Sequence, residues 1–260
     1  MITLEIRNET GATLARETDH DNLYLHYEGI YTEGFQFILN CDTAPAYVVL
    51  QLDDAIGESL VYLTGEMIFD LPFGEKKVCY SPKSFSGTNH LLTARYARPA
   101  EIAAYRNLAQ NKYDSHTNTS CFPHASANVE TRGESVFAAK NAINGNTANH
   151  SHGNWPYESW GINQNPDAAI TIEFGRPVTV DTVILTTRAD FPHDAWWTQA
   201  TISFSNGSLL ECPLTKTDQP QTCTFSPRTV TSLTLEKLIK AEDPSPFPAL
   251  SQIEVYGQEA

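Results

Sequence analysis

The stretch 170-ITIEFGRPVTVDTVILTTR-188 holds two strand-like segments on either side of a glycine. In the first segment Ile170, Ile172 and Phe174 alternate with polar residues, so their side chains point to one face of an extended chain. This alternation is typical of a strand that packs on a core with one face and meets water with the other. The stretch therefore predicts antiparallel β-structure with one buried face.

Similar alternation recurs along most of the chain. Each segment is rich in β-branched and aromatic residues, and Asp, Asn, Gly and Pro lie at the boundaries. The segments are 2–8, 23–29, 35–40, 47–53, 60–65, 91–97, 200–205, 208–212, 231–237 and 251–257. Weak helical periodicity is seen at 98–111 and 134–143. The spacing of the segments predicts an all-β protein of the sandwich type.

The pattern changes near Ala104, and each part of the chain on either side has the size of one sandwich. We therefore predict two β-sandwich domains. Residues 1–104 would form an N-terminal domain of unknown role, and residues 105–260 would form the second domain.

Composition excludes several classes of partner. The 260 residues carry a formal net charge of −14, so the chain lacks the Lys/Arg stripe that binds nucleic acid or anionic lipid. No run of about 18 apolar residues occurs, and we expect no membrane insertion. The opening MITLEIRNET resembles a strand and not a signal peptide. This predicts a cytoplasmic protein if Met1 is the natural start, and an extracellular one if a signal peptide has been removed.

The five cysteines include no CxxC motif, which argues against zinc-ribbon and thioredoxin-like sites. Their odd number fits reduced thiols better than a disulfide framework. Cys212 and Cys223 flank a short polar loop, and a bridge between them stays open.

Five features follow one another in the second half of the chain. They are 107-NLAQNK-112, 138-AAKNAINGNT-147, the pair Trp155 and Trp160, the segment 170–188, and the closing 250-LSQIEVYG-257. In this order they resemble the discoidin domain of the carbohydrate-binding-module type, also called the coagulation-factor C-type or galactose-binding-like domain. The resemblance implies an eight-stranded antiparallel jelly-roll whose loops at one end bind a ligand, often a glycan.

The resemblance also implies a structural Ca²⁺. Domains of this kind often hold it with backbone carbonyls, side-chain oxygens and a Glu of the last strand. The matching residues here are Asn141, Asn144, Asn146, Thr147 and Glu254. Calcium prefers about six to eight oxygens with some carboxylate charge, and Asn144 stands where the family commonly has Asp. Two outcomes stay open: a weak calcium site, or a loop held by amide hydrogen bonds.

Fucose-binding lectins of this fold carry a His, an Arg-x-Asp and a further basic residue at fixed spacing. Arg188 and Asp190 match the middle of that pattern. Asn163 stands at the His position and Ala195 at the final basic position. Since two of the three sugar-contacting positions differ, the resemblance does not extend to fucose recognition in that mode.

Two loops, 149–161 and 188–197, have the composition of a sugar site. Aromatic rings pack against the C–H face of a sugar, and planar polar side chains hydrogen-bond its hydroxyls. The candidate ligand-binding residues are Trp155, Tyr157, Trp160, Arg188, Asp190, His193, Asp194, Trp196, Trp197 and His152. Each has a structural alternative. Adjacent tryptophans on a strand point to opposite faces, so one of Trp196 and Trp197 is expected in the core.

These observations predict a non-catalytic protein that binds an oligo- or polysaccharide. One alternative is an interaction module whose N-terminal domain holds a protein partner. Another is a glycan-active enzyme, a glycosidase or lyase, in which Glu158, Asp190 and Asp194 supply paired carboxylates. The chain contains no Gly-x-Ser-x-Gly, phosphate-loop or HExxH motif.

Overall fold

The computed structural model describes residues 1–148, 150, 155–189 and 195–260. These residues form two β-rich halves, each with its own hydrophobic core. None of the helices within them has the length and apolar character that a membrane crossing needs.

The strands are named in chain order. They are β1 (Ile2–Arg7), β2 (Thr13–Asp19), β3 (Asn22–Glu28), β4 (Gln36–Cys41), β5 (Ala46–Gln51), β6 (Ser59–Leu63), β7 (Met67–Asp70), β8 (Asn89–Tyr96), β9 (Arg106–Asn107), β10 (Cys121–Phe122), β11 (His124–Ala127), β12 (Trp160–Gly161), β13 (Ile170–Thr187), β14 (Trp197–Phe204), β15 (Leu209–Pro213), β16 (Gln221–Lys240) and β17 (Ala249–Glu259). The helical segments are α1 (Pro99–Ala103) and 3₁₀ turns at Gly74–Lys77, Thr131–Gly133, Ser135–Phe137 and Ala139–Ile143.

The first half is a sandwich of two antiparallel sheets, which we call the first sandwich (β1–β8 and β10). One sheet has the order β2-β1-β4-β7, and the other has the order β10-β6-β5-β8-β3. In β1 the alternating side chains Ile2, Leu4 and Ile6 are fully buried, and Leu4 pairs with Leu39 of β4. This is the period-2 burial that the sequence predicts for a strand over a core.

The remaining strands, β9 and β11–β17, form the second sandwich. Their sheet has the order β12-β17-β13-β16-β14-β15, with β11 paired to β13 and β9 to β17. Ile170, Ile172 and Phe174 are fully buried, whereas Glu173 is exposed. The all-β fold class is therefore confirmed. All five cysteines, including Cys212 and Cys223, are free thiols.

The strand β13 runs without a break through the segment that the sequence divides into two. Its pairing register with β16 shifts between Glu173 and Val178, so the strand carries a bulge here. Gly175 at the bulge has φ +70°, and a Cβ there would lie 2.4 Å from the Phe122 ring. Only glycine fits both the conformation and the close approach.

The two sandwiches are joined by the segment after α1. Its strand β10 pairs with β6, and β11 pairs with β13 only two residues later. Tyr113 and Cys121 lie in the core of the first sandwich, although both follow the predicted boundary. The boundary near Ala104 stays a prediction, and the described contacts cross it.

The carboxylate of Glu259 also ties the sandwiches together. It accepts hydrogen bonds from the Tyr47 hydroxyl at 2.7 Å, from Arg106 at 2.9 Å and from Arg176 at 2.7 and 2.8 Å. The Arg176 guanidinium in turn lies over the Tyr47 ring. Burial opposes the charge of Glu259, but these hydrogen bonds outweigh it and lower the pKa of its carboxyl. The part-buried hydrogen bond from Tyr47 to Glu259 thus links the first sandwich to the second.

Candidate functional site

Arg188 lies at the end of β13 and is only 2% exposed. Its guanidinium donates to the Tyr157 carbonyl oxygen at 3.0 Å and stacks on the Tyr157 ring at 4.2 Å. The two predicted loops therefore meet at this contact. Because Arg188 is buried, it positions the Tyr157 segment and presents little of its own surface to a ligand.

Three predicted aromatic residues are parts of the core rather than sugar platforms. Trp160 is fully buried, and its Nε1 donates to the Val129 carbonyl at 2.9 Å. Tyr157 is buried with its ring edge-on to Phe137. Trp197 is buried, whereas Trp196 is half-buried, as the alternation of strand side chains predicts.

A groove of about 140 Å³ opens beside Arg188. It lies at the sheet edge where β12 and β13 end and β17 begins, since Gly161 pairs with Ala249 and Thr187 pairs with Leu250. We call it the end groove. The side chains that give it its character are Arg132, Phe137, Asn163, Gln164, Arg188 and Phe247.

Exposed planar groups and an exposed ring surround the end groove. Asn163 and Gln164 are exposed amides, and the Phe247 ring is 41% exposed. Arg132 is held over the Phe137 ring at 5.6 Å and forms a bidentate pair with Glu134. The arrangement combines an apolar face with hydrogen-bonding amides.

Backbone strain is concentrated at the same groove. Among the described residues, five non-glycine residues have positive φ, and three of them line the groove: Arg132 at 53°, Asn163 at 49° and Gln164 at 59°. Such conformations cost energy in residues with a side chain and often occur at binding sites. The backbone N–H of Asn163 donates to the Thr131 hydroxyl at 2.9 Å, which helps to hold this turn.

Two positions of the fucose-lectin sequence pattern line the end groove. Asn163, at the His position, and Arg188 line the same groove although 24 residues separate them. Ala195, at the final basic position, is buried. The other predicted ligand-binding residues, His152, Asp190, His193 and Asp194, lie outside the described residues.

The loop after the turn Ala139–Ile143 is held by amide hydrogen bonds. The Asn146 side-chain amide donates to Glu158 Oε1 at 2.5 Å, and the Asn144 amide donates to the same oxygen at 3.4 Å. The side-chain oxygens of both accept backbone N–H groups, which fixes the NH₂ groups toward the carboxylate. Glu158 Oε2 accepts the Tyr157 amide at 3.0 Å. N–H donors thus occupy both oxygens of the Glu158 carboxylate.

Asn141 and Glu254, which are also predicted to bind calcium, make other contacts. The Asn141 amide is buried and donates to the Ser135 carbonyl, and Thr147 is exposed. Glu254 accepts the Tyr256 hydroxyl at 2.9 Å. Gln252, two residues earlier, contacts the loop instead: it donates to the Ala142 carbonyl and accepts the Gly145 amide. The described contacts of the residues predicted to bind calcium do not fit a Ca²⁺ site. Calcium binding itself stays a prediction.

Glu158, the described member of the predicted carboxylate set, is 4% exposed and receives N–H donors on both oxygens. Trp155 is exposed and lines the same cleft as Glu158, which is separate from the end groove. The described contacts of Glu158 therefore indicate a structural role.

The second sandwich thus carries a small polar and aromatic groove at the ends of its strands. Residues 119–256, more than half of the chain, match the domain of unknown function DUF7402, and the chain belongs to this family. No curated protein matches the chain.

Several solved structures are similar to the chain. Chitosan-binding module 1 of a chitosanase/glucanase from Paenibacillus sp. IK-5 is 23% identical, with a TM-score of 0.41, over 58% of this chain and 98% of that one. The family 32 carbohydrate-binding module of Clostridium perfringens NanJ, solved with galactose, is 18% identical, with a TM-score of 0.43, over 59% and 99%. A Ruminococcus gnavus GH29 fucosidase, solved with fucose, is 16% identical, with a TM-score of 0.43, over 58% and 26%.

Proposed function

We propose that the protein is a non-catalytic carbohydrate-binding protein whose end groove takes one residue of an oligo- or polysaccharide. The observation that supports this most is the exposed Phe247 ring beside the exposed amides of Asn163 and Gln164 in one groove. The ring offers an apolar face to the C–H groups of a sugar. Each amide offers both a donor and an acceptor to neighbouring hydroxyls.

The buried contacts beneath the groove make it pre-organised. Arg188 holds the Tyr157 segment through its carbonyl and its ring, and Tyr157 packs against Phe137 of the groove wall. A groove that is already formed needs little ordering when a ligand binds. Its volume of about 140 Å³ is small, so we expect weak binding at a single site and stronger binding to a repeated glycan.

The lack of catalysis is part of the proposal. Paired carboxylates are the usual machinery of glycoside hydrolysis. The described residues that line the end groove include no Asp or Glu. Turnover of a chromogenic glycoside that disappears in Asp190→Asn would support the enzyme alternative instead.

The test is a broad glycan array, followed by calorimetry on the best glycan. Phe247→Ala should weaken binding about tenfold, because it removes the apolar platform. Asn163→Ala should weaken it about threefold to tenfold, through loss of hydrogen bonds. Tyr24→Ala is the matched control, since Tyr24 is a strongly exposed ring on the first sandwich. An array without any signal, or a Phe247→Ala variant that binds like the wild type, would overturn the proposal.

A protein partner for the first sandwich is the competing proposal. Concentration-dependent assembly with a partner, in the absence of any response to sugars, would favour it over carbohydrate binding.

A further inference from the structure

A second cleft, the interdomain cleft, lies between the two sandwiches and has a volume of about 240 Å³. Tyr80 and Ser84 of the first sandwich line it on one side, and Lys140, Trp155 and Glu158 of the second line it on the other. The connecting segment contributes Lys112 and Asp114. It shares no described lining residue with the end groove.

We propose that the interdomain cleft is a second binding site, which takes one uncharged, polyhydroxylated ring of sugar size. The residues of the cleft support this site independently of the function proposed for the end groove. If it is correct, the first sandwich has a binding role, because it supplies half of the site.

Direct contacts hold the two walls of the cleft in place. The Lys140 ammonium donates across it to the Tyr80 hydroxyl at 3.2 Å and to the Cys79 sulfur at 3.3 Å. The Lys112 ammonium donates to the Ile56 carbonyl at 3.2 Å. Elsewhere on the interface, the Ser135 amide donates to the Glu75 carboxylate at 2.7 Å. The cleft is therefore preformed, which lowers the ordering cost of binding.

The charges of the cleft cancel, which favours an uncharged ligand. The described charged side chains that line the cleft are two lysines, Lys112 and Lys140, and two carboxylates, Asp114 and Glu158. Asp114 accepts from the His124 ring at 2.8 Å and from the Ala125 amide at 2.8 Å. Glu158 accepts N–H donors on both of its oxygens. Both carboxylates already accept strong donors, and the formal charges of the described lining residues balance, so these residues hold no excess charge to attract an ion.

Two features point to a polyhydroxylated ring. The Trp155 side chain is 41% exposed on the cleft and can pack against the C–H face of a sugar. The Ser84 hydroxyl is fully buried, lines the cleft and has no hydrogen-bond partner within the described part of the chain. A buried hydroxyl without a partner is costly, and a ligand hydroxyl that reaches it would remove that cost.

The test is a titration of the full chain followed through its tryptophan indole N–H resonances by NMR. The probes are the methyl glycosides of glucose, galactose and mannose, with glucuronic acid and glucosamine as charged counterparts. Trp155→Phe assigns the Trp155 resonance. We expect it to shift saturably with at least one neutral glycoside and about tenfold more weakly with the charged sugars. Ser84→Ala should weaken this response about threefold to tenfold, and Tyr24→Ala should leave it unchanged.

Phe247→Ala separates this proposal from the one for the end groove. It should weaken glycan binding at the end groove about tenfold while the Trp155 response persists. The proposal is overturned if none of the neutral glycosides shifts the Trp155 resonance, or if the charged sugars bind more tightly. It is also overturned if the response disappears in Phe247→Ala, or if Ser84→Ala, folded by circular dichroism, binds as tightly as the wild type.

Discussion

Replacement of the two arginines of the end groove should lower the free energy of unfolding by very different amounts. Arg188 is 2% exposed and holds both the carbonyl and the ring of Tyr157. The Arg132 side chain is 60% exposed and pairs with Glu134 at the surface. Methionine keeps most of the aliphatic volume of arginine, so Arg188→Met and Arg132→Met remove mainly the charge and the hydrogen bonds.

The contacts give the size of each effect. Arg188→Met removes a hydrogen bond from a charged group, worth about 1.5–3 kcal/mol, and a buried cation–π contact, worth about 2 kcal/mol. We expect the free energy of unfolding to fall by about 3–5 kcal/mol, a large part of typical domain stability. Arg188→Lys keeps the charge but loses the planar stack on the Tyr157 ring. Its free energy of unfolding should lie between those of Arg188→Met and the wild type. Arg132→Met loses an exposed ion pair, which contributes little to stability because solvent screens it.

Urea unfolding followed by tryptophan fluorescence measures these changes. All four tryptophans lie in the second half of the chain, so the signal reports the second sandwich. The urea concentration at the unfolding midpoint should fall by about 1–2 M in Arg188→Met and change little in Arg132→Met. If Arg188→Met unfolds within about 1 kcal/mol of the wild type, Arg188 does not position the Tyr157 segment.

Three further outcomes are expected. The His124 ring hydrogen-bonds Asp114 at 2.8 Å, which raises the pKa of His124. The stability that this hydrogen bond contributes is complete below the unfolded-state pKa of about 6.5, and it is lost as pH rises through the higher folded-state pKa. The melting temperature of the wild type should therefore fall between about pH 6 and about pH 8.5, and His124→Gln should remove the part of this fall that comes from His124. Neither chelator nor added calcium should change the melting temperature, because amide donors occupy the Glu158 carboxylate; a rise of several degrees with calcium would show that the loop rearranges around the cation. Gly257→Ala should lower the free energy of unfolding by about 2 kcal/mol or more, because its Cβ would lie 2.1 Å from the Thr179 carbonyl oxygen; an unchanged denaturation curve would contradict this.

Strands that bury one face could be predicted from the sequence, and strands without a buried face could not. The burial of Ile170, Ile172 and Phe174 follows directly from their alternation. The strand β2 was not predicted, because its residues are exposed or half-buried throughout and carry no hydrophobic period. Its position depends on pairing with β1, which is a tertiary contact.

The candidate sites show the same limit. A sugar-like composition identified the two loops, and the alternation of strand side chains placed one ring of the Trp196–Trp197 pair in the core. Phe247 was missed, because it lies in the proline-rich segment 244–248, where no period marks the exposed face. Trp155 was identified as a candidate, but its cleft was not, since half of that cleft comes from residues more than 40 positions earlier in the chain.

The connecting segment has a consequence for how this protein can be rearranged in evolution or by engineering. A domain that hangs on a flexible linker can be excised, duplicated or fused elsewhere without repair. Here a cut near residue 104 would strip Tyr113 and Cys121 from the core of the first sandwich and leave β6 without its neighbour β10. The two sandwiches should therefore be inherited, expressed and purified as one unit, and a fusion partner is best attached outside the pair.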